Sequence, residues 1–192
     1  MTDYFKNAMA AAVTGVYVVT TDGPAGRVGL TVSSMASVSA EPPMLLVSIN
    51  RDSPLLPAIV DNDVFGVNAL GVHHAGLAET FAGRAAAGAR YDFGAARWER
   101  GESGVPLLSD ASARFDCQVS YLVAAGSHVV VIGAVRDASR GAVAALAYTR
   151  RDYARPVELP EREIPRAGET PYVSDASAWA SARASLASDV PA

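Results

Sequence analysis

"GLTVSSMASVSAEPPMLLVSINRDS", residues 29–53, is the stretch whose reading decides the fold. Val28, Leu30, Val32, Ala36 and Val38 fall on even positions, with Ser34 the polar exception. Thr31, Ser33, Ser37 and Ser39 fall on odd positions, with Met35 the apolar exception. Side chains alternate between the faces of a strand, so the pattern predicts one strand over 27–39 with a greasy face and a hydroxyl-lined face. A solvated face ordinarily carries Lys, Glu or Arg. Small hydroxyls instead permit close approach and both donate and accept. They suit a neutral, flat ligand with polar edges, or a phosphate met by hydroxyls and backbone N–H groups. A ligand-free outer sheet face rich in Ser and Thr gives the same pattern. Pro42-Pro43 ends the strand, and "MLLVSIN" (44–50) begins the next. "SPLLPAIVDN" (53–62) reads as a short helix with Ser53 as N-cap and Pro54 in its first turn.

Working outward, residues 3–14 read as a helix on which Phe5, Met9 and Val13 form one apolar stripe. "VYVVTT" (16–21) is β-branched and aromatic, hence a strand, and "DGPAG" (22–26) is a turn. "VFGVNAL" (64–70) reads as a strand and "HAGLAETFAG" (74–83) as a helix ending at Gly83. Asn68 is assigned to hydrogen bonds with neighbouring backbone. Residues 84–111 form a long Gly- and Ala-rich connection with Tyr91, Phe93 and Trp98 as anchors. "ARFDCQVSYLV" (113–123) alternates, placing Phe115, Cys117, Val119, Tyr121 and Val123 on one face and Arg114, Asp116, Gln118 and Ser120 on the other. "HVVVIGAV" (128–135) is continuously apolar, which predicts a strand buried on both faces, and 142–149 reads as a further strand. Residues 154–171 hold four prolines and many charges, an extended arm. Residues 174–188 read as a helix with Ser174 as N-cap and Trp179, Ala182 and Leu186 on one face. Many short strands without regularly alternating long helices favour an antiparallel barrel or sandwich over a doubly wound sheet.

The 192 residues suit one domain, with a core domain over 1–153 and an appended arm and helix over 154–192. A net charge of −4 offers no basic footprint for nucleic acid. No apolar run approaches a membrane span, and the N-terminus lacks a signal layout. One cysteine, Cys117, excludes an internal disulfide and a cysteine-based zinc site and suits a reducing cytoplasm. Cys117 reads as a buried small hydrophobe. His73 and His74 are adjacent and cannot share a helix face, so no metal site is expected. There is no GxGxxG, phosphate loop or GxSxG.

The run 29–53, with "AMAAAVTGVYVVTT" before it and "FGVNAL", "LAETFAG", "PLLSDASARFDC", "GSHVVVIGAV" and "AYTRRDY" after it, resembles the flavin reductase-like family over about residues 4–153. The resemblance implies a mainly β fold with short helices: an FMN-binding split β-barrel, here with a C-terminal extension ending in a helix. It implies a homodimer with flavin sites near the subunit interface. It implies NAD(P)H-dependent reduction of FMN or FAD, with NADH or NADPH as hydride donor. Reduced flavin then diffuses to a partner monooxygenase. Two other readings are a flavin-binding split barrel with lost or altered reductase activity, and a non-enzymatic dimeric binding module.

By the same resemblance, Thr31, Val32, Ser33 and Ser34 line the isoalloxazine ring and ribityl chain, and Ser39 lies near the ribityl or phosphate. "NRDS" (50–53) matches a phosphate-binding turn, with Asn50 and Ser53 as donors, Arg51 as charge and a helix N-terminus behind them. Phe81 and Ala82, in "FAG", match a segment that closes over the flavin. His128 matches a histidine near the flavin and incoming nicotinamide and is the catalytic candidate. The family usually has Gly-Asp-His there, whereas this chain has Gly126-Ser127-His128, which removes a charge that would raise the imidazole's pKa.

Overall fold

The structure is a computed structural model and describes residues 2–86 and 88–159. Met1–Pro156 forms one compact unit, from which Val157–Ala192 divides. The arm beyond Leu159 and the helix expected over 174–188 lie outside the described residues.

The unit opens with helix α1 (Thr2–Ala11), then strands β1 (Thr14–Gly15), β2 (Tyr17–Thr21), β3 (Val28–Val32), β4 (Met35–Ala40) and β5 (Pro43–Asn50). Helix α2 (Leu55–Asn62), β6 (Val64–Ala69), a 3-10 turn (Val72–His74) and α3 (Ala75–Phe81) follow. After a second 3-10 turn (Phe93–Ala95) come β7 (Trp98–Arg100), β8 (Pro106–Leu108), β9 (Ala113–Ala125), β10 (His128–Arg140), β11 (Ala147–Thr149) and β12 (Asp152–Ala154).

Seven strands form one antiparallel sheet in the order β3-β2-β6-β9-β10-β5-β4. Its two edge strands, β3 and β4, are joined in sequence by only Ser33 and Ser34. Two residues bridge the outer strands only if the sheet curls round until its edges meet. The result is the expected split β-barrel, with its seam at Ser33–Ser34. The single strand expected over 27–39 is therefore two. Serines take a bend without loss of alternation in the letters, so the break has no signature in the hydrophobic pattern.

The barrel interior holds Val19, Leu45, Val47, Ile49, Phe65, Val67, Cys117 and Val131, plugged by Leu55 and Ile59 of α2. A second cluster, with Val16, Val18, Leu70, Leu77, Phe81 and Leu108, holds α3 against the outside of β2 and β3. Cys117 is fully buried as expected, and burial pushes its thiol up to about 12. Asn68 has the structural role assigned to it: its amide donates to the Val18 carbonyl and the Thr20 hydroxyl, and its oxygen accepts from the Leu108 N–H.

Several expectations are corrected. The connection 84–111 contains the β7–β8 hairpin, and Phe93 and Trp98 do anchor it, edge-on to Phe81. That hairpin covers Asp116, which is fully buried and accepts from the Ser103 N–H and hydroxyl. Position 54, not 53, is the α2 cap position, and the Ser53 hydroxyl accepts from the Leu55 N–H. The far end of β9 is exposed on both faces, including Tyr121, Leu122 and Val123. On β10 only Val131 and Gly133 are buried, so its outer face is half-open and not buried on both sides. Helix α1 ends at Ala11, so Val13 of the expected stripe lies beyond it; Phe5 is 68% exposed and Val13 70%.

Candidate active site

The seam of the barrel opens into a groove of about 640 Å³. Its floor is Leu30, Thr31, Val32, Ser33 and Ser34. Ser48 and Asn50 of β5, Ala125 and His128 of the β9–β10 turn, and Phe5 and Met9 of α1 complete the walls. Two further hollows share this floor. One, of about 150 Å³, is lined by Thr31, Val32, Ser33, Ala82, Arg84, Tyr148 and Tyr153. The other, of about 480 Å³, runs under α1 past Ser33, Tyr148 and Arg151. The fold thus brings together Thr31, Val32, Ser33, Ser34, Asn50 and His128, with Ala82 at the adjoining hollow.

The hydroxyls are not equivalent. Thr31 donates to the Ala78 carbonyl at 2.8 Å. Ser34 donates to the Ser48 carbonyl and accepts from the Ser48 N–H, stitching the seam at 3.0 and 3.1 Å. Ser33 is exposed and has no side-chain partner among the described residues. Neither Ser33 nor Ser34 is paired in a strand ladder. The polar wall is therefore the Ser33 hydroxyl, the accepting lone pairs of Thr31, and backbone of the bend. Apolar Leu30, Val32, Phe5 and Met9 flank it, a surface suited to a flat ring with polar edges.

Three candidates stand apart. Ser39 sits toward the other end of β5, opposite Met44, and its hydroxyl accepts from the Glu41 N–H. Phe81 is fully buried against Phe93 and Trp98, and Gly29 leaves the space for its ring, since a Cβ there would come within 2.7 Å of it. It supports α3 from behind and does not face the groove. The Ser53 hydroxyl is committed to the start of α2. Arg51 is exposed on the turn beside the groove, and its N–H donates to the Ser127 carbonyl at 3.0 Å. That bond ties "NRDS" to the turn carrying His128.

His128 is half-buried, and its Nδ1 lies 2.9 Å from the Ser127 hydroxyl. Its backbone is paired on both sides, to Asn50 and to Ala125.

Sequence reading missed Arg84, Tyr148 and Tyr153. Arg84 makes a two-point pair with Glu79, whose carboxylate also accepts from the Tyr153 hydroxyl. The bonds from Arg84 and then Tyr153 hold the Glu79 carboxyl down at about 2. Burial and the Glu79 bond push Tyr153 up to about 12. The only signal was position: Arg84 directly follows "FAG", and both tyrosines lie in "AYTRRDY".

Away from the groove, His73, His74 and Asp110 meet with ligand atoms within 4.8 Å of one another. The Gly71 N–H donates to Nδ1 of His74, so the ring proton sits on Nε2 and faces Asp110 at 3.2 Å. A metal at Nε2 would need that proton on Nδ1, against the Gly71 N–H. The trio is a hydrogen-bonded clasp between the start of α3 and the end of β8. Burial, foremost, lowers the pKa of His74.

A family model described as the flavin reductase like domain matches residues 9–156. The chain belongs to the flavin reductase like family. FMN reductase (NADH) RutF of Variovorax paradoxus is 44% identical over 150 residues, covering 78% of this chain and 82% of that one. Among solved structures, flavin reductase PheA2 superposes with a TM-score of 0.75 at 31% identity, over 81% of this chain and 98% of that one. The NADH:FAD oxidoreductase SgcE6 of Streptomyces globisporus, in complex with NAD and FAD fragments, superposes with a TM-score of 0.74 at 27% identity, over 81% and 93%. In this flavin reductase like chain the seam groove is the largest of the hollows around Thr31–Ser33. No described helix is long and apolar enough to cross a membrane.

Proposed function

We propose that the chain is an NADH-dependent FMN reductase that works in the seam groove, the reading carried by one observation: Thr31–Ser34 and His128 line the same opening. Its volume of about 640 Å³ lies within the roughly 300–1,000 Å³ of small-molecule sites. The Ser33–Ser34 bend offers backbone and hydroxyl groups to the polar edge of a flavin ring. Leu30 and Val32 support its face. Asn50 and, next to it, Arg51 lie on the side that would receive the phosphate. When bound, flavin supplies the acceptor atom for a hydride from the nicotinamide, so this chain need supply no acid or nucleophile. Its residues hold two rings face to face and keep them oriented. Met9 and Phe5 narrow the opening.

The choice of FMN and NADH follows the activity of the RutF relative, an FMN reductase that uses NADH. Release of reduced flavin to a separate monooxygenase by diffusion, in the cytoplasm, completes the reading and rests on the family resemblance. So does a homodimer, which the uncovered stripe of α1 and the exposed end of β9 support, since Phe5 and Met9 lie at the groove mouth.

The test is NADH oxidation by the purified protein with and without FMN. FMN-dependent oxidation is expected. FMN binding without oxidation would replace this reading with a flavin-binding protein that lacks reductase activity. Absence of FMN binding would overturn both.

A further inference from the structure

We propose that Ser127 is a positioning residue: its hydroxyl holds His128 in the neutral tautomer whose Nε2–H is presented to a carbonyl oxygen of the bound ligand. The proposal rests on the reading of the groove given above.

The geometry is closed on one side of the ring and open on the other. The Ser127 hydroxyl meets Nδ1 at 2.9 Å. Its carbonyl is held by the Arg51 N–H at 3.0 Å, and the His128 backbone is fixed between β5 and β9. The hydroxyl is thus delivered by a pinned turn, not by a free side chain. Nε2 has no partner among the described residues, and the ring lines the groove. In the proposed arrangement the Ser127 hydroxyl donates and Nδ1 accepts, which puts the ring proton on Nε2, the nitrogen left to face the groove.

No charge competes for the ring. The groove walls from α1, β3, β5 and β9 contribute Phe5, Leu30, Ser48, Asn50 and Ala125 near it, none of them charged. The charged groups on these elements are Asp3 and Lys6 on α1, Arg114 and Asp116 on β9, and Arg51 and Asp52 in the turn after β5, and none of them lines the groove. His128 joins no ion pair among the described residues. A carboxylate in place of the hydroxyl would favour the imidazolium and accept from Nδ1–H. A hydroxyl brings no such charge and offers Nδ1 a directed donor. A flavin reductase groove holds two ligands with amide-type carbonyls, the nicotinamide carboxamide and the flavin pyrimidine edge, and a single N–H serves either.

The experiment has two arms. First, ring-nitrogen NMR of protein labelled with 15N-histidine, assigned with H128Q, reads the tautomer without ligand or turnover. The wild type is expected to show protonated Nε2 and bare Nδ1 at His128, and S127A a mixture of tautomers. Protonated Nδ1 in the wild type overturns the proposal. Second, steady-state kinetics compare wild type, S127A, S127T and S127D. In S127A, loss of one directed hydrogen bond is expected to raise one KM about 3- to 10-fold with kcat little changed, and S127T restores it. A raised KM for NADH assigns the carbonyl to the carboxamide, and a raised KM for FMN assigns it to the flavin. S127D moves the acidic limb of the pH profile upward. An S127A effect that persists in full in an H128Q background overturns the proposal. Absence of NADH oxidation in the wild type would instead sink the function reading, leaving the NMR arm to decide the positioning role.

Discussion

Thr31 donates its hydroxyl to the carbonyl of Ala78 across 2.8 Å, pinning the floor strand β3 to helix α3. One of the hydroxyls that made the segment look like a ligand wall is thus spent on structure. The same residue lines the groove, where its oxygen can still accept. Thr31→Val should cost about 1 kcal/mol of stability, because the Ala78 carbonyl keeps its helix bond from the Ala82 N–H. Urea unfolding checks this. A loss of several kcal/mol would mean the hydroxyl carries more than one bond's worth of order.

Phe81 separates support from contact. Phe81→Ala should remove about 3–5 kcal/mol by emptying the space shared with Phe93 and Trp98. Phe81→Leu, which retains most of the volume, should fold and bind FMN within about twofold of wild type, since the ring does not face the groove. A large loss of FMN affinity in well-folded Phe81→Leu would place the ring at the ligand after all.

The histidine clasp sets a pH dependence. The pKa of His74 is lowered in the folded state, chiefly by burial, with Asp110, His73 and Arg97 lining the same hollow. Below the unfolded value of about 6.5 the unfolded chain binds a proton that the folded chain refuses. Stability contributed here is whole above that pH and falls as pH drops toward the folded pKa. The slope of unfolding free energy against pH, between about pH 7.5 and 5, should be shallower in His74→Gln than in wild type. Parallel slopes would show that His74 does not carry the effect.

The uncovered apolar surface predicts self-association. Tyr121, Leu122 and Val123 on β9 and Phe5 and Val13 near the N-terminus offer exposed apolar area that a second copy would cover. Light scattering should give about twice the 19.9 kDa chain mass for wild type and a lower mass for Leu122→Asp. A wild-type protein that stays at the chain mass would refute the dimer.

How much of this was legible in the residues varies by element. β2, β5 and β6 announced themselves by β-branched runs, and Cys117 and Asn68 were placed correctly from strand alternation and residue type. The β3–β4 break was not legible, because Ser33 and Ser34 fit a strand or a bend equally well. β7 and β8 are three residues each, too short to show a period, so the burial of Asp116 beneath their hairpin was not legible either. The outer face of β10 read as buried because its residues are apolar, while a lone chain leaves that face half-open. Sequence located the groove residues Thr31–Ser34, Asn50 and His128 through the family pattern. It could not locate Arg84 or Tyr153, whose roles arise from contacts with Glu79 across the fold.

The central claim is that the seam groove at Ser33 holds the flavin. Ser33 is exposed and its side chain holds nothing in place among the described residues, so Ser33→Trp fills the groove without emptying the core. FMN titration, followed by quenching of flavin fluorescence, should show at least about tenfold weaker binding to Ser33→Trp than to wild type, with unchanged thermal unfolding. Equal affinity in the two proteins would contradict the account and place the flavin elsewhere.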